Sequence, residues 1–224
     1  MRRRWSGRSP RNCRFTRSRY HLSMQVVLPE KTSLVALRLD PQMTDDEYFE
    51  FCMANPDVRF ERSAQGEISI VPPASPESDY DCVEAVRQLA NWARRDGRGK
   101  AFGMSIEFIL PTDAAFSPDA SWVSNERLKK LTKQQLRKFP RLTPEFVIEV
   151  MSPTDRLKTA QEKMQEWLRG GVELAWLIHP DEKTVYIYRA GQDAPEKREG
   201  ITSLAGQGPI DGFELDLAEI WAGL

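Results

Sequence analysis

The chain has 224 residues, is 40% hydrophobic and carries a formal charge of -1, which fits one core-bearing domain with a tail better than two domains. No apolar run is long enough to cross a bilayer. Three widely spaced cysteines (Cys13, Cys52, Cys82) and two histidines (His21, His179) argue against a disulfide framework, a zinc or histidine metal centre and a Ser-His-Asp triad, leaving chemistry to carboxylates and lysine in a reducing, cytoplasmic setting.

Residues 1–23 hold eight arginines and no acid, so the overall charge of -1 leaves Met24 to Leu224 at -9. This basic segment has too little apolar content to pack and is expected to be disordered. It fits a nucleic-acid-binding arm, a transit-like peptide, or upstream sequence ahead of a chain starting at Met24, and it lacks the apolar core of a secretory signal. The domain is expected over 24–224. After an apolar lead-in from Met24 to Leu39, Thr44-Asp45-Asp46-Glu47 forms a capping box and predicts a short helix through Tyr48, Phe51 and Cys52. Val58–Arg62 and Glu67–Val71 flank Ala64-Gln65-Gly66 as a β-hairpin. From Asp79 to Arg95 the spacing predicts a helix with Tyr80, Val83, Val86, Leu89 and Trp92 on its buried face, closed by Gly97 and Gly99. Extended runs follow at Ala101–Leu110 and Ala120–Val123, then a basic helix over Asn125–Phe139. Seven basic residues between 127 and 141 face only Glu126, a charge that suits either phosphates or a solvated helix face.

Phe146–Met151 has the apolar pattern of a buried strand, with Glu149 in its middle, where an unpaired carboxylate is costly. Ser152, Pro153 and Asp155 then predict a helix N-terminus, and Leu157, Ala160, Met164 and Leu168 its stripe, up to Gly170-Gly171. Lys163 falls at the edge of that stripe beside Trp167, and Lys158 at the opposite edge. Leu174–Ile178 and Thr184–Tyr188 are strands around a His-Pro-Asp turn, and Gly212–Leu224 ends in a turn and a short helix. Trp176, His179 and Tyr188 are assigned to packing. Strands and helices interleave without a strict βαβ repeat, giving an α/β or α+β class with one mixed sheet.

Asp119 directly follows a proline at a strand start, Glu149 sits inside another strand, and Lys163 lies on the next helix. Two carboxylates on neighbouring strands can share Mg²⁺ (or Mn²⁺), and a lysine beside them can offset charge on a phosphoryl group. Each residue also has a plainer reading. Asp119 suits a turn, Glu149 a structural ion pair, Lys163 a surface lysine lying along apolar neighbours, and Glu61 a solvated strand face.

Pro118-Asp119 with Ser-Trp-Val, Pro144-Glu145-Phe146-Val147-Ile148-Glu149-Val150 with Ser152-Pro153, and Lys163 ahead of Gly171-Val172 and Trp176-Leu177-Ile178 together resemble the Uma-two family. These are restriction-endonuclease-like proteins of the PD-(D/E)xK nuclease superfamily. Thr44–Tyr48, Phe60-Glu61 with Gly66-Glu67, and Gly212-Phe213-Glu214-Leu215 extend the resemblance over nearly all of 39–224. It implies a mixed sheet flanked by helices, a Mg²⁺-dependent endonuclease acting on DNA, no membrane partner, and room for a homodimer. By the same resemblance Asp119 and Glu149 are the metal carboxylates, the Val150 carbonyl a further ligand, Lys163 the catalytic lysine and Glu61 an acid that completes the site. Two departures stand out: no histidine near Ser78 or Asp79, and Pro144-Glu145 in place of proline-aspartate. The alternative is a nuclease-fold binding or regulatory module without turnover.

Overall fold

The computed structural model describes residues 36–38 and 43–224. The basic segment 1–23, with Cys13 and His21, lies outside the described residues, as does most of the Met24–Leu39 lead-in.

β1 spans Ala36–Arg38 and α1 Asp45–Met53. The Thr44 capping box forms as expected: Thr44 Oγ1 accepts from the Glu47 N–H, and Glu47 accepts from the Thr44 N–H at 2.9 Å. β2 (Arg59–Arg62) and β3 (Glu67–Val71) make the predicted hairpin, with Glu61 opposite Ser69. α2 runs from Pro76 to Asp96, capped by Ser75 and closed by Gly97 at φ 76°, a left-handed position that glycine takes without strain. β4 (Gly99–Gly103), β5 (Phe108–Ile109), β6 (Ala115–Phe116), β7 (Ala120–Ser124) and the short α3 (Asn125–Leu128) follow. The chain continues through β8 (Phe146–Val150), α4 (Leu157–Arg169), β9 (Leu174–His179) and β10 (Thr184–Arg189). β11 (Glu196–Glu199), β12 (Ser203–Ala205), β13 (Glu214–Asp216) and α5 (Ala218–Ala222) end it.

The main sheet is mixed, in the order β11-β10-β9-β8-β7-β4, with β8 and β9 parallel and α4 as their crossover. A second, antiparallel sheet runs β1-β3-β2-β6-β5, and β12 pairs with β13 as a separate ribbon. The class is therefore as expected, but the strands divide among three sheets. Strand alternation sorts the core. Phe146, Ile148 and Val150 point to α2, α5 and the ribbon, where Leu89, Trp92, Phe213 and Ile220 meet them. Val147 and Met151 point the other way, to Met164 and Trp167 of α4, together with Phe108 and Phe116 of the second sheet. Phe60, Ile68 and Ile109 turn to the outer face of that second sheet, under Tyr48 and Phe51 of α1. So α4 lies between the two sheets, and odd-numbered residues at the centres of β8 and β2 face it from opposite sides.

Several elements depart from the sequence expectations. Ser152 and Asp155 do not cap α4: Asp155 Oδ2 accepts from the Ser152 N–H at 2.7 Å and hydroxyl at 2.9 Å, closing a turn, and the helix begins two residues later without a side-chain cap. Ala101–Leu110 is not one run, because the chain leaves the main sheet after Gly103 and joins the second at Phe108. The basic helix breaks after Leu128, since Thr132 and Gln135 form their own reciprocal cap and restart a single 3₁₀ turn. On α2 the buried face carries Cys82, Ala85, Leu89 and Trp92, while Val83 keeps 54% of its surface exposed.

Candidate active site

β8 carries Glu149 on the side facing α4. Its Oε2 accepts from Lys163 Nζ at 3.0 Å and its Oε1 from Trp167 Nε1 at 2.8 Å. Lys163 and Trp167 are four positions apart on one helix face, so a single turn of α4 supplies both donors. Glu61 reaches the same ammonium from the second sheet: Lys163 Nζ donates to Glu61 Oε1 at 2.9 Å, and the Ser117 N–H donates to the same oxygen at 3.3 Å. The Phe116 ring lies 5.6 Å from the ammonium and meets Trp167 edge-on at 5.5 Å, a wall for the lysine stem.

Asp119 sits one residue before β7. The register Ala120↔Ile148 and Ser121↔Val147, continued by one step, sets it level with Glu149. Its Oδ2 accepts from the Val150 N–H at 2.8 Å, which pins the carboxylate across the strand gap. Beneath it lies the Cys82 thiol of α2, pushed up by burial and by the neighbouring charge of Asp119. All four predicted site residues thus converge on one spot, and Val150 adjoins it. None is sealed: the Lys163 side chain keeps 23% exposure, Glu61 15% and Glu149 12%.

Three carboxylates face one ammonium, and the imbalance governs the electrostatics. Burial lifts Glu149 to about 8; the Lys163 charge opposes that rise, and Asp119 and Glu61 add to it. Asp119 is also raised, again first by burial, against the pull of Lys163, the Val150 N–H and Arg59. Burial alone would lower Lys163, but Glu149, Glu61 and Asp119 outweigh it and raise the ammonium well above its ordinary range. An excess of buried negative charge is what a cation relieves, and every donor here is an oxygen, the ligand type of Mg²⁺. Among the described residues no group of three or more His, Cys, Asp or Glu side chains is placed to hold a metal by itself. Asp119 and Glu149 supply the oxygen chemistry such an ion takes, and water and a substrate phosphate would have to complete its shell.

Lys158 is 89% exposed and faces Glu162 at 3.9 Å, away from the cluster. Trp176 and Tyr188 pack in the core as assigned, and His179 lies half-buried near Glu182. Glu145, the departure at the Pro144-Glu145 step, is a buried strut: it pairs with Arg127 Nε at 2.9 Å and accepts from the Ser124 N–H at 3.1 Å, tying β8 to the end of β7. The basic segment is partly neutralised within the chain. Arg127 pairs with Glu145 and Glu173, Lys138 with Asp46, and Arg141 with Asp45 and Asp113. Sequence reasoning passed over Arg59, which shares the face of β2 with Glu61 two positions on; the period-two pattern was the available signal.

The mixed sheet with a parallel β8–β9 pair and its crossover helix is the fold of a restriction-endonuclease-like protein. The chain belongs to the Uma2 family, described as "Putative restriction endonuclease", whose model matches residues 45–218. It is similar in fold to a crystal structure described as a "putative nuclease belonging to DUF820" from Anabaena variabilis, with a TM-score of 0.66 and 21% identity over 80% of this chain and 98% of that one. No curated protein matches the chain. No described helix is long and apolar enough to cross a membrane.

Proposed function

We propose that the protein is a Mg²⁺- or Mn²⁺-dependent endonuclease that hydrolyses DNA phosphodiester bonds in the cytoplasm. The observation that carries this reading is the ion pair between Lys163 and Glu149, formed where Asp119 comes level with Glu149 at the strand ends. A structural ion pair would be served by one acid and one base, whereas this cluster keeps two further carboxylates at the same ammonium and stays open to solvent.

Asp119 and Glu149 would hold the ion, with the Val150 carbonyl beside them as a further oxygen ligand. When bound, the metal supplies Lewis acidity to the phosphoryl oxygens and a more acidic water. The chain's own residues do the rest. Asp119 is oriented by the Val150 N–H, and Glu149 by Trp167, so neither carboxylate needs to reorganise when substrate arrives. Lys163 stabilises charge on the pentavalent phosphorus and directs the attacking water; Glu61 keeps that ammonium protonated and aimed. The unpaired state of Cys52 and Cys82, both buried, suits a reducing compartment.

The test is incubation of the purified chain with plasmid and oligonucleotides in Mn²⁺, Mg²⁺ or EDTA. Cleavage that needs metal and is lost in Asp119→Asn and Glu149→Gln is expected. Tight DNA binding with no cleavage under any metal would instead identify a nuclease-fold binding module.

A further inference from the structure

Periodicity assigns Val83 and Val86 to the core, yet the structure leaves them on the wall of a cleft of about 800 Å³, within the range of small-molecule pockets. Facing them are Phe102, Leu136 and Phe139, with Leu136 58% exposed. The cleft adjoins the acidic cluster through two shared wall residues. Cys82, one residue before Val83, lines it and lies against Asp119. Met104 lines it too, and its Sδ accepts from the Arg59 guanidinium at 3.7 Å. Arg59 stands on the Glu61 face of β2, is exposed, and has no ion-pair partner among the described residues; nor does Arg137, farther along the cleft.

An apolar, partly aromatic trough beside the acidic cluster, with an arginine that has no ion pair among the described residues at the junction, matches the repeating chemistry of a single nucleic-acid strand: phosphate, then base. A duplex would keep its bases stacked inside and leave the trough empty. Resting on the nuclease reading above, we propose that the cleft receives one unstacked base of the substrate strand, that Arg59 holds the phosphate between this base and the scissile bond, and that unpaired strands are therefore preferred to duplex. Arginine suits this place because its planar guanidinium can meet two phosphate oxygens at once.

The experiment measures binding of the full chain, in EDTA, to a single-stranded oligonucleotide and to the duplex of the same sequence. Val83→Asp and Leu136→Asp, exposed lining residues from different parts of the chain, should each weaken single-strand binding by roughly tenfold, in line with the loss of one stacked base, and leave the melting temperature near that of wild type. A strand with one abasic nucleotide at the critical position should bind wild type about tenfold more weakly, with no further loss for Val83→Asp, because both changes empty the same contact. Arg59→Ala should weaken binding to an ordinary strand but not to one whose neighbouring phosphate is a neutral methylphosphonate. Wild-type affinity in both cleft variants, or an abasic penalty undiminished in Val83→Asp, would overturn the proposal. So would a change of molecular mass by light scattering in these variants, which would make the cleft a contact between copies of the chain. Carboxylate-dependent cleavage without the abasic effect removes the base pocket alone; the abasic effect without such cleavage removes the nuclease reading alone.

Discussion

Lys163 Nζ lies 2.9 Å from Glu61 Oε1, a contact between residues 102 positions apart that joins the crossover helix of the main sheet to the hairpin of the second. With Glu149 at 3.0 Å on its other side, this ammonium is the only cation bonded to either acid among the described residues, so its removal bears on the packing of both sheets.

Lys163→Met should keep the lysine stem's packing on Phe116 and lose the charge. Cleavage is expected to fall at least about a hundredfold, the order seen when one electrostatic stabiliser is removed. Because Asp119 and Glu149 then lose their counter-charge, the variant should lose more melting temperature than wild type between pH 5 and pH 8, as these raised acids ionise; added Mg²⁺ should recover part of the loss. Lys158→Met, on the exposed edge of α4, should match wild type in both rate and melting temperature. Equal losses in the two variants would show the role misassigned.

Wild type is expected to show a Mg²⁺-induced rise in melting temperature by thermal shift across a metal titration, and Asp119→Asn and Glu149→Gln to abolish it. Ligand carboxylates must be ionised to bind a cation, so that rise should grow with pH as the raised Glu149 carboxyl ionises. A metal-induced shift that is the same at pH 6 and pH 8 would speak against Glu149 as a ligand.

Glu107 adds a pH dependence in the same window as the site, where the charge of Glu61 also reaches it. Burial raises it to about 8, partly opposed by the Tyr48 hydroxyl, which donates to its Oε1 at 2.7 Å. An acid whose folded pKa lies above its unfolded value contributes stability below the unfolded value and loses it as pH climbs toward the folded one. Stability should therefore decline from about pH 4.5 to pH 8, by a few kcal/mol at about 1.4 kcal/mol per unit. Glu107→Gln keeps an acceptor for Tyr48 and should make that decline shallower in urea denaturation curves, leaving the share due to Asp119 and Glu149.

Arg127→Ala removes the partner of Glu145, which is 6% exposed. Breaking such a pair leaves a buried charge uncompensated, with an expected cost of about 3 kcal/mol. Metal binding should persist, because the strut lies at the far end of β7 and β8 from Asp119 and Glu149. Loss of metal binding at unchanged stability would contradict a structural role for Glu145.

Local chemistry carried much of the molecule from sequence alone. The Thr44 box, the β2–β3 hairpin, the Gly97 stop and the strands around Glu149 depend on neighbours within a few residues, and a carboxylate inside an apolar strand announces that something distant must hold it. What held it was decided by tertiary structure. The direction in which Glu61 points, the level of Asp119 against Glu149 and the edge of α4 that turns inward follow from how two sheets close over one helix. The same closure left Val83 and Val86 beside an open cleft. An apolar stripe records only that a helix has a face to cover; whether another element of the chain covers it depends on contacts far apart in sequence, which no local period encodes.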